Sequence, residues 1–329
     1  MAILELAIDI GTSKTTIYQK NVGIVLSEPS VIAISQGRTA GLKCAGTEAK
    51  KLVGKATPNV IVNFPLFEGV ITLPFAAAMM LKSYLDRVIP KNVKAKIHAI
   101  ITVPCGVGEK HKETFENVAY EAGIGQALIV ESPIATRQIL KQNLNECLII
   151  DIGGGKTDMS VTDKNGILYG CSLGIGGNNM DTGIIDYLSD ELKFKVGLIT
   201  AANSRVKLGS LNKNENSSLV VNGRDLSNGA PVAMEIDSKN IYPTVLYYYQ
   251  KIAELGSALI NTLDEITLAN IQRNGAYIMG GASQISGIDK FLERALNMQV
   301  NLLDEPEFCV ARGAGRFLED KALMQTLYQ

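Results

Sequence analysis

Side chains for metal or disulfide chemistry are scarce in this sequence. It has two histidines, His98 and His111, and five cysteines, Cys44, Cys105, Cys147, Cys171 and Cys309, with no C-x-x-C pair among them. That pattern argues against a structural zinc site and a disulfide framework, and it points to a reduced compartment. Long hydrophobic runs are missing too. The longest apolar stretch, residues 70–81, is interrupted by Thr72 and Pro74 and falls short of the ~18–20 residues of a bilayer-spanning helix. The first ten residues lack a signal-peptide pattern and run directly into a strand-like one, so the expected location is cytoplasmic. A net charge of −1 removes any global electrostatic case for nucleic acid or an anionic membrane as partner.

What remains is ordinary globular material, 46% apolar and 20% charged over 329 residues, enough for two domains or one large bilobal one. Strand-like and helix-like segments alternate, the pattern of an α/β protein with helices on the faces of its sheets. The clearest strands are residues 4–9, 97–103, 127–130 and 148–151. Ala77, Met80, Leu81, Tyr84, Leu85 and Val88 form the apolar stripe of a helix that Pro90 stops. A second helix is expected over 109–122, with Gly123 at its C-terminal cap. A third should open at Ser132 as its N-cap, with Pro133 in the first helical position. Pro243 is expected to open a long helix carrying Leu246, Tyr249, Ile252, Leu255, Leu259 and Leu263, and residues 212–218 read as an exposed turn between strands. No Pro/Gly/Ser-rich hinge divides the chain, which favours two lobes tightly joined.

Three glycine segments carry the chemistry. Ala7-Ile8-Asp9-Ile10-Gly11-Thr12-Ser13-Lys14 is a strand ending in Asp, a tight turn and then hydroxyls. Leu148-Ile149-Ile150-Asp151-Ile152-Gly153-Gly154-Gly155-Lys156-Thr157 repeats that order far downstream. Each is a candidate hairpin whose turn, lacking side chains, lets backbone N–H groups approach a phosphate oxygen. An Asp at each strand end suits hydrated Mg²⁺, which takes one or two carboxylates plus waters and phosphates. The third, Met279-Gly280-Gly281-Ala282-Ser283, is a strand, a Gly pair and a helix start, suited to close approach by a nucleoside. One such turn is often a plain structural turn. Three, two of them near-repeats, point to a ligand. No G-x-x-x-x-G-K-[ST] P-loop occurs, and neither Asp-led turn has the dinucleotide-binding spacing.

These residues resemble the actin, heat-shock-chaperone and sugar-kinase superfamily, most closely the MreB-type bacterial actins. Further likeness lies in Glu28-Pro29-Ser30-Val31, Pro65-Leu66, Gly69-Val70-Ile71, Val103-Pro104, Gly176-Gly177, Met180-Asp181, Gly223-Arg224-Asp225-Leu226 and Cys309-Val310-Ala311. The resemblance implies an actin-like ATPase fold: two related lobes, each a mixed sheet flanked by helices, with a nucleotide cleft between them. Lobe I would be residues 1–137, with 318–329 packing back onto it, and lobe II residues 138–317. It implies ATP or ADP with Mg²⁺, held through water by Asp9 and Asp151. Gly11, Thr12, Ser13, Gly153, Gly154, Gly155 and Thr157 would cradle phosphates, and Gly280, Gly281, Ala282 and Ser283 would border the adenosine. Gly177, Asn178 and Arg205 complete the implied nucleotide contacts. It also implies hydrolysis coupled to head-to-tail assembly with copies of itself, and a cytoskeletal task such as cell shape or wall-synthesis guidance, with adaptor proteins as further partners. Plasmid or organelle positioning, a small-molecule kinase of the same fold and a nucleotide-dependent regulator are the alternatives.

Some positions depart from that family. The usual Glu or Gln before the Pro of the third helix is Ser132, and Glu131 lies one residue earlier. Either Glu131 orients the attacking water, or Ser132 does so through a water, or hydrolysis is slow. Asn178 replaces an Asp. Lys14 and Lys156 each follow a phosphate loop and read either as phosphate-facing or as solvated surface lysines. The family's membrane contact has one candidate here, a loop with Ile89 and Val93 beside Lys91, Lys94 and Lys96, suited at most to weak, reversible attachment.

Overall fold

A computed structural model describes residues 2–37, 40–90, 95–141 and 144–327. The backbone divides into two units: Met1–Glu146 with Ser160–Cys171 and Glu307–Gln329, and Cys147–Met159 with Ser172–Pro306. Among the described residues no helix is long and apolar enough to cross a membrane. Val93, Lys91 and Lys94 of the candidate membrane loop lie outside the described residues.

The first unit is built on a five-stranded sheet in the order Gln126–Glu131, Ala95–Val103, Ala2–Ile10, Lys14–Gln19, Gly23–Pro29. Ala2–Ile10 runs parallel to Ala95–Val103 and antiparallel to Lys14–Gln19. Its near-continuous apolar run is explained by burial on both faces, since successive side chains alternate between them. Leu6, Ile8 and Ile10 join a core with Met80, Leu81, Tyr84 and Leu85 of the helix Pro74–Val88 and Phe115 and Val118 of the helix Glu109–Glu121. Ala7 points the other way, into a cluster with Ile100, Val130, Ala314 and Phe317.

The expected helix ends hold. Pro74–Val88 stops before Ile89, whose backbone is extended ahead of Pro90, as a residue before proline prefers. Glu109–Glu121 is followed by Gly123 at φ 100°. Ser132–Arg137 begins where expected, but not with the expected cap. Glu131 holds the cap position, and the Ser132 hydroxyl instead donates to the Val103 carbonyl at 3.0 Å. A buried hydroxyl takes whichever acceptor is in reach, and here the neighbouring strand supplies it.

The second unit contains the sheet strands Cys147–Ile152, Ala276–Met279 and Val300–Leu302, of which the first two and the last two pair in parallel. A smaller sheet, Phe194–Lys195, Ser218–Asp225 and Pro231–Asp237, packs its apolar face on helices Gly177–Leu192 and Leu198–Leu208 through Ile184, Leu188, Phe194, Ala201, Val221 and Ile236. Two sequence expectations change here. Residues 212–218 link the helix Leu198–Leu208 to the strand Ser218–Asp225, so they do not join two strands. The long helix spans Ser238–Ile260 and carries Pro243 inside it. It starts earlier because Asp237 accepts the Asn240 amide at 3.0 Å while the Asn240 side chain accepts the Asp237 amide at 2.8 Å, a reciprocal cap.

Candidate functional site: two aspartate-tipped turns

In the first unit, Asp9 lies at the end of a central strand, and the strand pairing sets it beside Thr102. The Thr102 hydroxyl donates to the Asp9 carboxylate at 2.9 Å. Burial outweighs that bond and pushes the Asp9 carboxyl up to about 6 from its ordinary 3.8. The turn that follows closes with the Gly11 amide donating to the Lys14 carbonyl at 3.0 Å. Ser30, part of the Glu28-Pro29-Ser30-Val31 motif, braces it by donating to the Gly11 carbonyl at 2.6 Å. Thr12 is fixed from another direction, because its hydroxyl oxygen accepts the Gly69 amide at 2.8 Å.

The second unit repeats this arrangement. Asp151 ends the strand Cys147–Ile152, and the Gly153 amide donates to the Lys156 carbonyl at 2.9 Å, the counterpart of the Gly11–Lys14 bond. The carbonyls of Gly153 and Gly154 accept the amides of Gly177 and Asn178 at 3.0 and 2.7 Å, so the N-terminus of the helix Gly177–Leu192 abuts the turn. Thr157 is buried and donates to the Ile175 carbonyl at 2.8 Å. Asn178 is exposed at the helix start. One turn on, Asp181, nearly fully buried, pairs with Arg205 at 2.6 Å, and the guanidinium also packs against Gly177.

Gly280 sits at φ 89°, a backbone region that favours glycine, and a Cβ there would collide with the Asp151 carboxylate. The 3-10 turn Gly281–Gln284 follows, with Ser283 buried and donating to the Gly280 carbonyl at 2.8 Å. Tyr249 donates to the Ala282 carbonyl. The structure thus brings Gly280 against Asp151, and Gly177 and Asn178 against the Gly153–Gly154 turn.

The two lysines behave differently from each other. Lys14 is exposed, with its ammonium 5.5 Å from the centre of the Phe308 ring. Lys156 is not a solvated surface lysine, because it pairs with the buried Asp158 at 2.8 Å. Glu131 accepts the Gly106 amide at 2.8 Å and pairs with Lys112 at 3.4 Å. Sequence reasoning missed Thr102, whose partner Asp9 lies on another strand, so that only sheet register brings the two together.

Two Asp-tipped, glycine-closed turns on mixed sheets flanked by helices define an actin-like fold. Solved structures agree: MreB5 of Spiroplasma citri bound to AMPPNP superposes with a TM-score of 0.91 at 28% identity, covering 100% of this chain and 99% of that one. The MamK double helical filament shares the fold at a TM-score of 0.80 and 20% identity, covering 96% and 99%. The family model for MreB/Mbl protein matches residues 4–326, and the chain belongs to that family. The cell shape-determining protein MreB of Pasteurella multocida is 31% identical over 325 residues, 96% of this chain and 93% of the relative. Mbl of Bacillus subtilis is 27% identical over 322 residues, 96% of each chain.

Proposed function

We propose that this chain is a filament-forming actin homologue with a role in cell shape, binding ATP with Mg²⁺ at its two glycine turns. The observation that carries the reading is the duplicated closure, Gly11 to Lys14 and Gly153 to Lys156, each after a strand-end aspartate. Relatives support it: the Pasteurella multocida protein is a cell shape-determining MreB, and the MreB5 structures of Spiroplasma citri are bound to AMPPNP and to ADP.

The donor set fits magnesium. Among the described residues no group of three or more His, Cys, Asp and Glu side chains is arranged to hold a metal. A cation here would therefore rest on Asp9 and Asp151 through water and on phosphate oxygens, the coordination Mg²⁺ prefers. When bound, the ion would neutralise phosphate charge. Asp9 supports this assignment by its place at a strand end beside the Gly11 turn, where its carboxylate accepts a hydrogen bond from Thr102. The amides of Gly11–Ser13 and Gly153–Gly155 would receive phosphate oxygens, with Thr157, Gly177, Asn178 and Arg205 around them and Gly280–Ser283 beside the adenosine.

Hydrolysis is expected to be slow. Glu131 and Ser132, the groups proposed to orient water, are engaged already, Glu131 by Gly106 and Lys112 and Ser132 by the Val103 carbonyl. Head-to-tail contact between copies is a heterologous interface that need not close, which yields a filament. Sedimentation and electron microscopy with ATP, ADP and AMPPNP test this. Nucleotide-dependent filaments with slow phosphate release are expected, and a protein that stays monomeric at high concentration with every nucleotide would refute it.

A further inference from the structure

The helix Ser132–Arg137 ends on a buried arginine whose hydrogen bonds all go to main-chain carbonyls. Arg137 is 8% exposed, and its terminal nitrogens donate to the main-chain carbonyls of Lys141 at 3.3 Å and Leu144 at 2.6 Å. Its Nε is buried and has no hydrogen-bond partner, the one such side-chain atom among the described residues. Carbonyls are neutral acceptors. A guanidinium keeps its proton at any pH a protein meets, so a buried one without an anion is strongly unfavourable.

Arg137 also lines a cleft of ≈ 570 Å³ formed by residues of the first unit alone. That is within the roughly 300–1,000 Å³ of pockets that take organic molecules. Ile129, Ile134, Phe317 and Leu327 give it apolar wall, and Lys112 and Lys164 add positive charge. Of its two carboxylates, Glu131 pairs with Lys112 and accepts the Gly106 amide, and Asp163 accepts the amides of Asn165 and Gly166 in its own turn, so the cleft's three cations, Lys112, Arg137 and Lys164, outnumber its anions.

From this we infer that the cleft is a binding site for a small organic monoanion, a carboxylate on an apolar body. The carboxylate supplies the charge Arg137 lacks, and the body covers Ile134 and Phe317. A neutral ligand of the same shape leaves the guanidinium unmatched. A compact inorganic anion leaves the apolar wall wet, and a polyanion meets the Glu131 and Asp163 carboxylates. The inference rests on residues of the first unit and does not depend on the reading of the glycine turns.

Isothermal titration of the full chain with 4-phenylbutyrate tests it, with 4-phenylbutanamide as the neutral isostere and inorganic phosphate as the compact anion. The carboxylate is expected to bind at least about tenfold more tightly than either. Gln138→Glu replaces the side-chain donor to the Ile134 carbonyl by a carboxylate on the cleft wall and is expected to weaken 4-phenylbutyrate about tenfold or more. Arg137→Gln is expected to weaken it as much. Because Arg137 also holds two carbonyls, Gln138→Glu decides the matter if the arginine variant does not fold. No binding of 4-phenylbutyrate at millimolar concentration, equal affinity for acid and amide, or undiminished binding by Gln138→Glu would overturn the proposal.

Discussion

Asp9 and Thr102 sit side by side on parallel strands, and the threonine hydroxyl donates to the aspartate carboxylate at 2.9 Å. One hydroxyl does not offset the cost of burying a carboxylate, so the Asp9 carboxyl titrates near 6, above its ordinary 3.8.

A raised carboxyl pKa makes the folded, ligand-free protein lose stability as pH rises. The contribution is fully present below about pH 4 and is lost through pH 6, amounting to about 3 kcal/mol at pH 8. Asp9→Asn keeps an acceptor for Thr102 and removes the titration. Without nucleotide or Mg²⁺, this variant is expected to melt above the parent at pH 8, with the gap closing by pH 4. A parent whose stability does not fall between pH 5 and 7 relative to Asp9→Asn would show that Asp9 is not desolvated.

Adjacent glycines should respond unequally to the same change. Gly280→Ala forces a side chain into the left-handed backbone at φ 89° and onto the Asp151 carboxylate, and is expected to cost about 2 kcal/mol or more in denaturant unfolding. Gly281 has open space where a Cβ would go, so Gly281→Ala should stay within about 0.5 kcal/mol of the parent. Similar losses in both would remove the steric argument.

Much of this arrangement was legible in the sequence, because the signals are local. A strand ending in Asp followed by Gly encodes a hairpin turn within a few residues, and both turns formed. Reading failed where partners are remote or two local signals compete. Pro243 looked like a helix start, yet the cap formed by Asp237 and Asn240 starts the helix five residues earlier. Ser132 looked like a cap, yet the Val103 carbonyl on the adjoining strand accepts its hydrogen bond. Glu28 appeared as part of a motif without a task. In the fold its carboxylate accepts from the Thr47 amide and hydroxyl at 2.7 Å and pairs with Arg87, contacts that no local spacing announces.

Arg205 pairs with Asp181 and packs against Gly177, whose amide donates to the second turn, so its loss should be felt in both stability and binding. Arg205→Met leaves the Asp181 carboxylate buried without its guanidinium, which is expected to cost about 3 kcal/mol. Under the proposed function, ATP affinity measured at a temperature where the variant is folded should also fall at least about tenfold. Normal affinity in a destabilised variant would confine Arg205 to a structural role.

The central claim, that Asp9 and Asp151 serve one metal–nucleotide complex, is tested most directly by the Mg²⁺ dependence of ATP affinity in Asp9→Asn, Asp151→Asn and the double variant. If both aspartates act through one ion, each single change abolishes most of the Mg²⁺ enhancement and the double change adds little, a strongly non-additive cycle. A Mg²⁺ enhancement that survives intact in either single variant, or losses that simply add, would contradict it.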